Sequence, residues 1–448
     1  LPWKNNSNII KASYSGLIPV RQDENGLASL FYWFFPSKLN PNGPLLIWLQ
    51  GGPFASSMIG LFYELGPLRI KKINSTNSSN LNDFLIDINP NSWYNHFNII
   101  FLDQPVGTGY SSLNSTSLNQ SALTSSIQRN FHLKSSSNNT SNHYKNGYPI
   151  NQDGVALDFL SFLKQFYQKF PSMKKANLTL AGESYAGKYI PSIATLITQF
   201  NSIQKKPSDI IPLTSLVIGN QWTDPYSQMT VYPNQLLFFG LISPQQAAIA
   251  EKLIKQSQEF ITKEKWRESL DSRMKMLDIL SNFTGGVDWY DVRMKNKHLI
   301  QTPMNHFLRL KETKEILHVP ISNDFKMDSA AMEFFLDDIM KSTKDLFPEL
   351  LKHYKVLLFQ GNMDLRDGVV SNTIWLSQLK WNSSTQFENS PREIWKSKDG
   401  ELHGYVNQFA NLTRVVLLGC GHRVSTDDGC PESSLEMMLR HHQQEKFL

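Results

Sequence analysis

The amino-acid sequence predicts an α/β protein, with a mostly parallel central sheet covered by helices on both faces. Two observations point there. Short runs rich in branched aliphatic residues, bounded by turn residues, recur along the chain: PLLIWLQGG at 44–52, FNIIFLDQP at 97–105, LTLAG at 178–182, SLVIGN at 215–220, KVLLFQG at 355–361 and RVVLLG at 414–419. Runs of this length and composition are those of buried strands. Between several of them apolar residues return at helical spacing, as in 153–170 and 185–200, and strands alternating with helices build α/β sheets. A chain of 448 residues, 40% hydrophobic, is long enough to bury such a core.

Taken in order, the first run leads into GGPFASS, which lacks the glycine-rich fingerprint that a nucleotide-binding α/β domain carries after its first strand. Residues 111–148 are mostly Ser, Asn and Thr. That composition buries little, so the stretch reads as an exposed, mobile insertion. The stretch NLTLAGESYAGKYIP at 177–191 follows. Residues 177–180 alternate polar and apolar, as a half-buried strand does, and Ile190, Ile193, Ala194 and Ile197 have helical spacing. Gly182-Glu183-Ser184-Tyr185-Ala186-Gly187 therefore reads as a tight strand-to-helix turn. Such a turn resembles the nucleophile elbow, in which a serine takes a strained backbone conformation and presents its hydroxyl above the sheet. Residues 226 to about 320 hold long amphipathic patterns that read as helices packed outside the sheet before the chain returns to a strand at Lys355. The organisation expected is one α/β core in two parts, 1–225 and 326–448, with a helical lid at 226–325 inserted between them. No repeat period is evident.

A nucleophilic serine needs a base, an orienting acid and donors for the oxyanion. Catalytic groups of such sheets sit at the carboxyl ends of strands. After KVLLFQ comes Gly361-Asn362-Met363-Asp364, and after RVVLL comes Gly419-Cys420-Gly421-His422. With Ser184 the order is Ser, Asp, His, the chain order of α/β-hydrolases. In that arrangement His422 takes the serine proton and Asp364 fixes its tautomer. Asp367, three residues on, is a rival for the acid.

The bulk properties narrow the partners. A net charge of +5 spread over 448 residues, without a dense Lys/Arg block, weighs against nucleic acid. No apolar run reaches the length of a membrane span. Eleven N-x-S/T sequons favour a secreted or endomembrane glycoprotein, and Asn74, Asn114, Asn177, Asn282, Asn382 and Asn411 are the glycosylation candidates. Cys420 and Cys430 are the only cysteines. They either bridge a short loop or stay free, and with His422 alone beside them a structural zinc site is not expected. No cofactor or metal is expected.

WLQGGPFASSMIGLFYELGP (48–67), FLDQPVGTGYS (101–111), GESYAGKYIP (182–191), IGNQWTDP (218–225), GNMD (361–364) and GHRVSTDD (421–428) together resemble the serine carboxypeptidases, most closely the vitellogenic-type branch. The resemblance runs in order from the first strand to the last helix. It implies the α/β-hydrolase fold with an inserted helical lid, and peptide or protein C-termini as substrate. It also implies an acidic lysosome-like, vacuolar or extracellular setting on the secretory pathway. It makes Ser184, Asp364 and His422 the triad and the N–H groups of Gly52 and Tyr185 the oxyanion hole. Gln50, Gly51 and Glu183 would hold the substrate's C-terminal carboxylate. Glu183 must be protonated to do so, and the resemblance pairs it with Glu64. Two carboxyls sharing a proton raise one apparent pKa.

Five positions depart from the family pattern. Gln50 replaces an asparagine, Phe54 replaces the glycine of GGPG, Ala55 replaces a common cysteine, and after the histidine Arg423 replaces an apolar residue and Ser425 a proline. If the family glycine sits at positive φ, Phe54 is strained or its loop is rebuilt. Two alternatives to a carboxypeptidase follow: an esterase or acyltransferase on the same scaffold, or a catalytically impaired glycoprotein with a structural or binding role.

Overall fold

A computed structural model describes residues 10, 12–72, 81–114, 140–294, 302–327, 329–426, 430–445 and 447. Strands and helices alternate along it, and the chain divides into two compact units.

The first unit comprises residues 1–181, 192–214 and 300–335. Its strands Tyr14–Asp23 and Gly26–Phe35 form an antiparallel hairpin, paired from Tyr14 opposite Phe34 to Asp23 opposite Gly26 with a register shift between Pro19 and Arg21. Gly26 takes φ 127°, which the tight connection requires. The second of these strands pairs antiparallel with Asn98–Leu102, and that strand pairs parallel with Leu45–Leu49. Every residue of Leu45–Leu49 is buried, which explains a run with no polar alternation. Helix Gln152–Lys169 begins where the Asn151 side chain accepts the Gly154 N–H, a standard cap. Its Phe166, with Phe170 just beyond the helix, packs edge-on against Phe34 at 5.3 and 5.1 Å between centroids. Helices Thr302–Arg309 and Lys311–Ile316 also belong to this unit.

The second unit comprises 182–191, 215–299 and 336–448. Here Ser215–Gly219 runs parallel to Lys355–Gly361, which runs parallel to Leu412–Leu417. Leu402–Phe409 and Glu393–Lys396 continue outward as antiparallel strands. Helices Pro244–Thr262 and Trp266–Phe283 fill much of the region expected to be helical. A capping box between Ser243 and Gln246, with Pro244 in the first turn, starts the former. Ser257 and Ser269 join the two helices through reciprocal bonds of 2.9 and 3.0 Å to each other's carbonyl. Cys420 and Cys430 are joined in a disulfide, which settles the alternative left open by their spacing.

Two expectations are corrected. Strand Leu178–Glu183 is buried at every residue, Thr179 and Glu183 included, so its polar alternation does not mark a solvent face. The 111–148 insertion is ordered at both ends. Ser112–Asn114 pairs with the Gly26–Phe35 strand, and Tyr144–Lys145 pairs with Tyr148–Pro149. Residues 115–139, and with them most of the Ser/Asn-rich stretch, lie outside the described residues.

Candidate active site

Ser184 stands between strand Leu178–Glu183 and helix Ala186–Ser202, with φ 60°. A side chain in this left-handed region costs roughly 1–3 kcal/mol and persists only where the surroundings fix it. Here three bonds fix it. The Ser184 N–H donates to the Gly219 carbonyl, and the Ser184 carbonyl accepts from the N–H groups of Gly187 and Trp222, all at 2.9 Å. The residue two places after the serine is Ala186, fully buried, and the glycine comes one place later. A Cβ on Gly187 would lie 2.6 Å from Gln221 Cβ and 2.8 Å from the Trp222 carbonyl. That glycine is needed for close approach to the segment after Gly219.

Asp364 and His422 meet at the ends of neighbouring parallel strands. His422 Nδ1 is 2.7 Å from Asp364 Oδ2, with both side chains buried. A carboxylate only accepts, so Nδ1 carries the hydrogen and Nε2 of the neutral imidazole keeps its lone pair. The other oxygen, Oδ1, accepts the N–H groups of Arg366 (2.7 Å) and Asp367 (3.2 Å). Burial disfavours the imidazolium, but the charge and hydrogen bond of Asp364, helped by Asp367, outweigh it and raise the His422 pKa. Asp367 is also buried, and its Oδ1 has no hydrogen-bond partner among the described residues. Burial pushes its carboxyl above the usual range. Of the two acids, Asp364 is the one that makes the bond to the imidazole.

Two residues not singled out by the sequence hold this pair. Asn220, at φ 39°, donates through Nδ2 to the His422 carbonyl (2.5 Å) and accepts the Gly361 N–H (3.1 Å). It sits immediately after a strand, so the strand-end rule that picked out Asp364 and His422 applies to it equally. The ring of Tyr290 packs edge-on to the imidazole at 4.7 Å, and its carbonyl accepts the His422 N–H at 2.7 Å. Nothing in the sequence around Tyr290 signals this.

In the first unit, Gln50 and Glu64 come together. The Trp48 indole N–H donates to Gln50 Oε1 (3.0 Å), which turns Gln50 Nε2 toward Glu64 Oε1 at 3.4 Å. Only glycine at 60 leaves room for the indole, since a Cβ there would meet Trp48 Nε1 at 2.3 Å. The loop after Gln50 is pinned by Asp103, whose Oδ1 accepts the Ser56 hydroxyl (2.6 Å) and the Ser57 N–H (3.0 Å) and whose Oδ2 accepts the Tyr110 N–H (3.1 Å). Burial raises the Asp103 pKa to about 7 despite these donors. Gly51 is buried and Gly52, at φ 108°, is exposed. Phe54 keeps a positive φ of 66° and is buried, edge-on to Phe335 at 5.5 Å. Glu183 and Tyr185 are both buried. Arg423 is half-buried.

Of the sequons, Asn177, Asn282 and Asn382 are exposed and Asn114 is half-buried. Asn411 differs: its Nδ2, the atom a glycan would occupy, donates to the Leu351 carbonyl at 2.9 Å. Asn74 lies outside the described residues. Among the described residues no helix is long and apolar enough to cross a membrane.

Comparison with known proteins identifies the family. The model of the serine carboxypeptidase family matches residues 4–444. Serine carboxypeptidase-like 50 of Arabidopsis thaliana is 34% identical over 92% of this chain and 84% of its own. The probable serine carboxypeptidase CPVL of Homo sapiens is 30% identical over 96% of this chain and 82% of its own. Among solved structures, Kex1, a prohormone-processing carboxypeptidase from Saccharomyces cerevisiae, superposes with a TM-score of 0.77 at 25% identity, covering 96% of this chain and 91% of that one. The fold is therefore that of the α/β-hydrolases, a large, mostly parallel central sheet flanked by helices. With its strand-end serine, aspartate and histidine in the order of that fold, the chain belongs to the serine carboxypeptidase family and is a serine-type carboxypeptidase acting on peptides.

Proposed function

We propose that this carboxypeptidase removes single C-terminal residues in acid through an acyl-enzyme on Ser184. The observation that carries the reading is the 2.7 Å bond between His422 Nδ1 and Asp364. It leaves Nε2 as the free base. In the proposed cycle Nε2 takes the Ser184 proton as Oγ attacks the last peptide carbonyl. The imidazolium then protonates the departing amino acid, and water, activated by the same nitrogen, hydrolyses the ester. Family membership supports the remaining roles: the N–H groups of Gly52 and Tyr185 for the oxyanion, and Gln50, Gly51 and Glu183 for the substrate carboxylate. The contact of Gln50 with Glu64 supports a carboxyl of that group acting with the amide. The exposed sequons at Asn177, Asn282 and Asn382 support passage through the secretory pathway to an acidified or extracellular setting.

The two halves of this reading have opposite pH demands. Glu183 must be protonated to donate to a carboxylate, which favours acid. His422 must be neutral to act as base, which favours higher pH, and its raised pKa sharpens the conflict. The test is KM against pH for one peptide and its C-terminal amide, in wild type and in Glu183→Gln. KM for the peptide should rise as pH climbs from acid to neutral, KM for the amide should not, and Glu183→Gln should flatten the peptide's dependence while keeping turnover. Identical profiles for the two substrates in wild type would remove the carboxylate clamp and favour the esterase or acyltransferase reading.

A further inference from the structure

Behind the serine lies a charged group that the catalytic cycle does not use. Lys188 and Asp338 are both buried and form an ion pair at 2.9 Å from Nζ to Oδ2. The Tyr185 hydroxyl donates to the same Oδ2 at 2.8 Å and lies 3.2 Å from Lys188 Nζ. Lys188 also bonds the Asp338 backbone carbonyl. Tyr189 packs edge-on to the Tyr185 ring at 5.2 Å.

The neighbouring residue completes a second tie. The Ile339 carbonyl accepts the Trp222 indole N–H at 3.1 Å, and the Trp222 backbone N–H donates to the Ser184 carbonyl at 2.9 Å. That carbonyl and the Tyr185 N–H belong to one rigid peptide plane. The 338–339 segment thus grips the plane twice, through the Tyr185 side chain on one side and through Trp222 on the other. Buried ion pairs replaced by apolar residues of similar size often leave stability unchanged or improved. Stability alone is therefore a weak reason for this pair, whereas fixing the direction of one N–H is a specific one.

We propose that Lys188 and Asp338 are positioning residues that, through the Tyr185 hydroxyl, aim the Tyr185 backbone N–H at the developing oxyanion. This rests on the reading of Tyr185 as an oxyanion donor. Loss of one such donor lowers kcat on the order of 10²–10³-fold, and misaiming it should cost less.

The test compares wild type, Tyr185→Phe and the double variant Lys188→Met/Asp338→Leu. The readouts are the rate of labelling by a fluorophosphonate, kcat and KM for a peptide and its amide, the pH profile, and the melting temperature. Tyr185→Phe keeps the ring and leaves the ion pair in place, so it decides the matter if the double variant does not fold. The expected result is a fall in kcat and labelling rate of about 10-fold in Tyr185→Phe and up to about 100-fold in the double variant. KM should stay within about twofold, because an oxyanion donor acts only as the oxyanion forms. The pH inflection should not move, and the double variant, which leaves the buried Tyr185 hydroxyl without its carboxylate, should stay folded with a melting temperature somewhat below wild type. Wild-type kcat in a folded Tyr185→Phe would overturn the proposal, and so would a kcat loss matched by a rise in KM or a shifted inflection. A wild-type protein that neither labels nor turns over overturns the reading of Ser184 itself, and this inference with it, so the two failures are told apart.

Discussion

Asp364 and Asp367 are three residues apart and equally buried, yet only Asp364 bonds the imidazole. Asp364→Asn should therefore lower kcat by about 10³–10⁴-fold, because an amide in that place favours the wrong histidine tautomer. Asp367→Asn should lower it less than about 10-fold. Its effect should appear in the pH profile instead. The groups facing His422 are Asp364 and Asp367, which raise its pKa, and Arg366, which lowers it, with the Tyr290 ring against its face. A raised folded-state value means that the charged imidazole stabilises the fold below the ordinary histidine range, and that this contribution is lost as pH climbs through the raised value. Removing the Asp367 charge should move the inflection of kcat/KM on an uncharged ester to lower pH. Equal kcat losses in the two variants, measured on that ester, would mean that the acid is misassigned. At this scale the strand-end positions of Asp364 and His422, which the structure brings into contact, were legible because a strand followed by glycine and a polar residue is a local pattern. Asn220 carries the same strand-end signal and was passed over, whereas Tyr290 carries no local signal, because the imidazole it packs against is brought to it only by folding.

At the scale of elements, the site depends on how closely strand ends approach one another. A Cβ on Gly361 would lie 2.1 Å from the Gly421 carbonyl and 2.4 Å from the Cys420 carbonyl. No flexible side chain can yield there, so Gly361→Ala must push the His422 loop away. Displacements of about 1 Å near the chemistry can cost about 100-fold in rate. A loss of that order in kcat is expected, and wild-type kinetics in a folded Gly361→Ala protein would show that the loop tolerates the shift. The alternation of 177–180 suggested a half-buried strand, although both of its faces are covered. Period alone cannot tell a polar residue facing water from a buried threonine, and that distinction belongs to packing. The ends of the 111–148 insertion were misread for a related reason. Tyr144 and Arg21 hold one end, with the guanidinium 3.9 Å from the ring centroid, and two such residues outweigh a polar composition locally.

At the scale of the whole molecule, buried titratable groups set how stability varies with pH. Asp103 has its pKa raised to about 7 by burial. The folded state then binds a proton that the unfolded state has lost between the ordinary carboxylate range and neutrality, so this residue's contribution falls as pH rises through that window. His441, bonded to Ser215 at 2.7 Å and lowered to about 3 by burial, acts in the opposite sense, because the unfolded chain takes up its proton in acid. The two nearly offset each other across the acid range. Asp103→Asn removes one side of the balance. Between pH 4.5 and 7.5 its stability relative to wild type should improve with pH by on the order of 3 kcal/mol, the equivalent of a little over two pK units at about 1.36 kcal/mol each. Denaturant unfolding at the two pH values measures this, and parallel curves for variant and wild type would contradict it. The α/β class itself was legible because its strands are continuous apolar runs. Which buried acids keep a proton was not, since desolvation depends on everything packed around the carboxyl.

The central claim is that Ser184 is the nucleophile that His422 and Asp364 activate. Treating the protein with a fluorophosphonate, digesting it and locating the adduct by mass spectrometry tests that claim most directly. The account predicts a single adduct on Ser184 that appears in wild type and is absent from folded Ser184→Ala protein. An adduct on another residue, or equal labelling of Ser184→Ala, would contradict it.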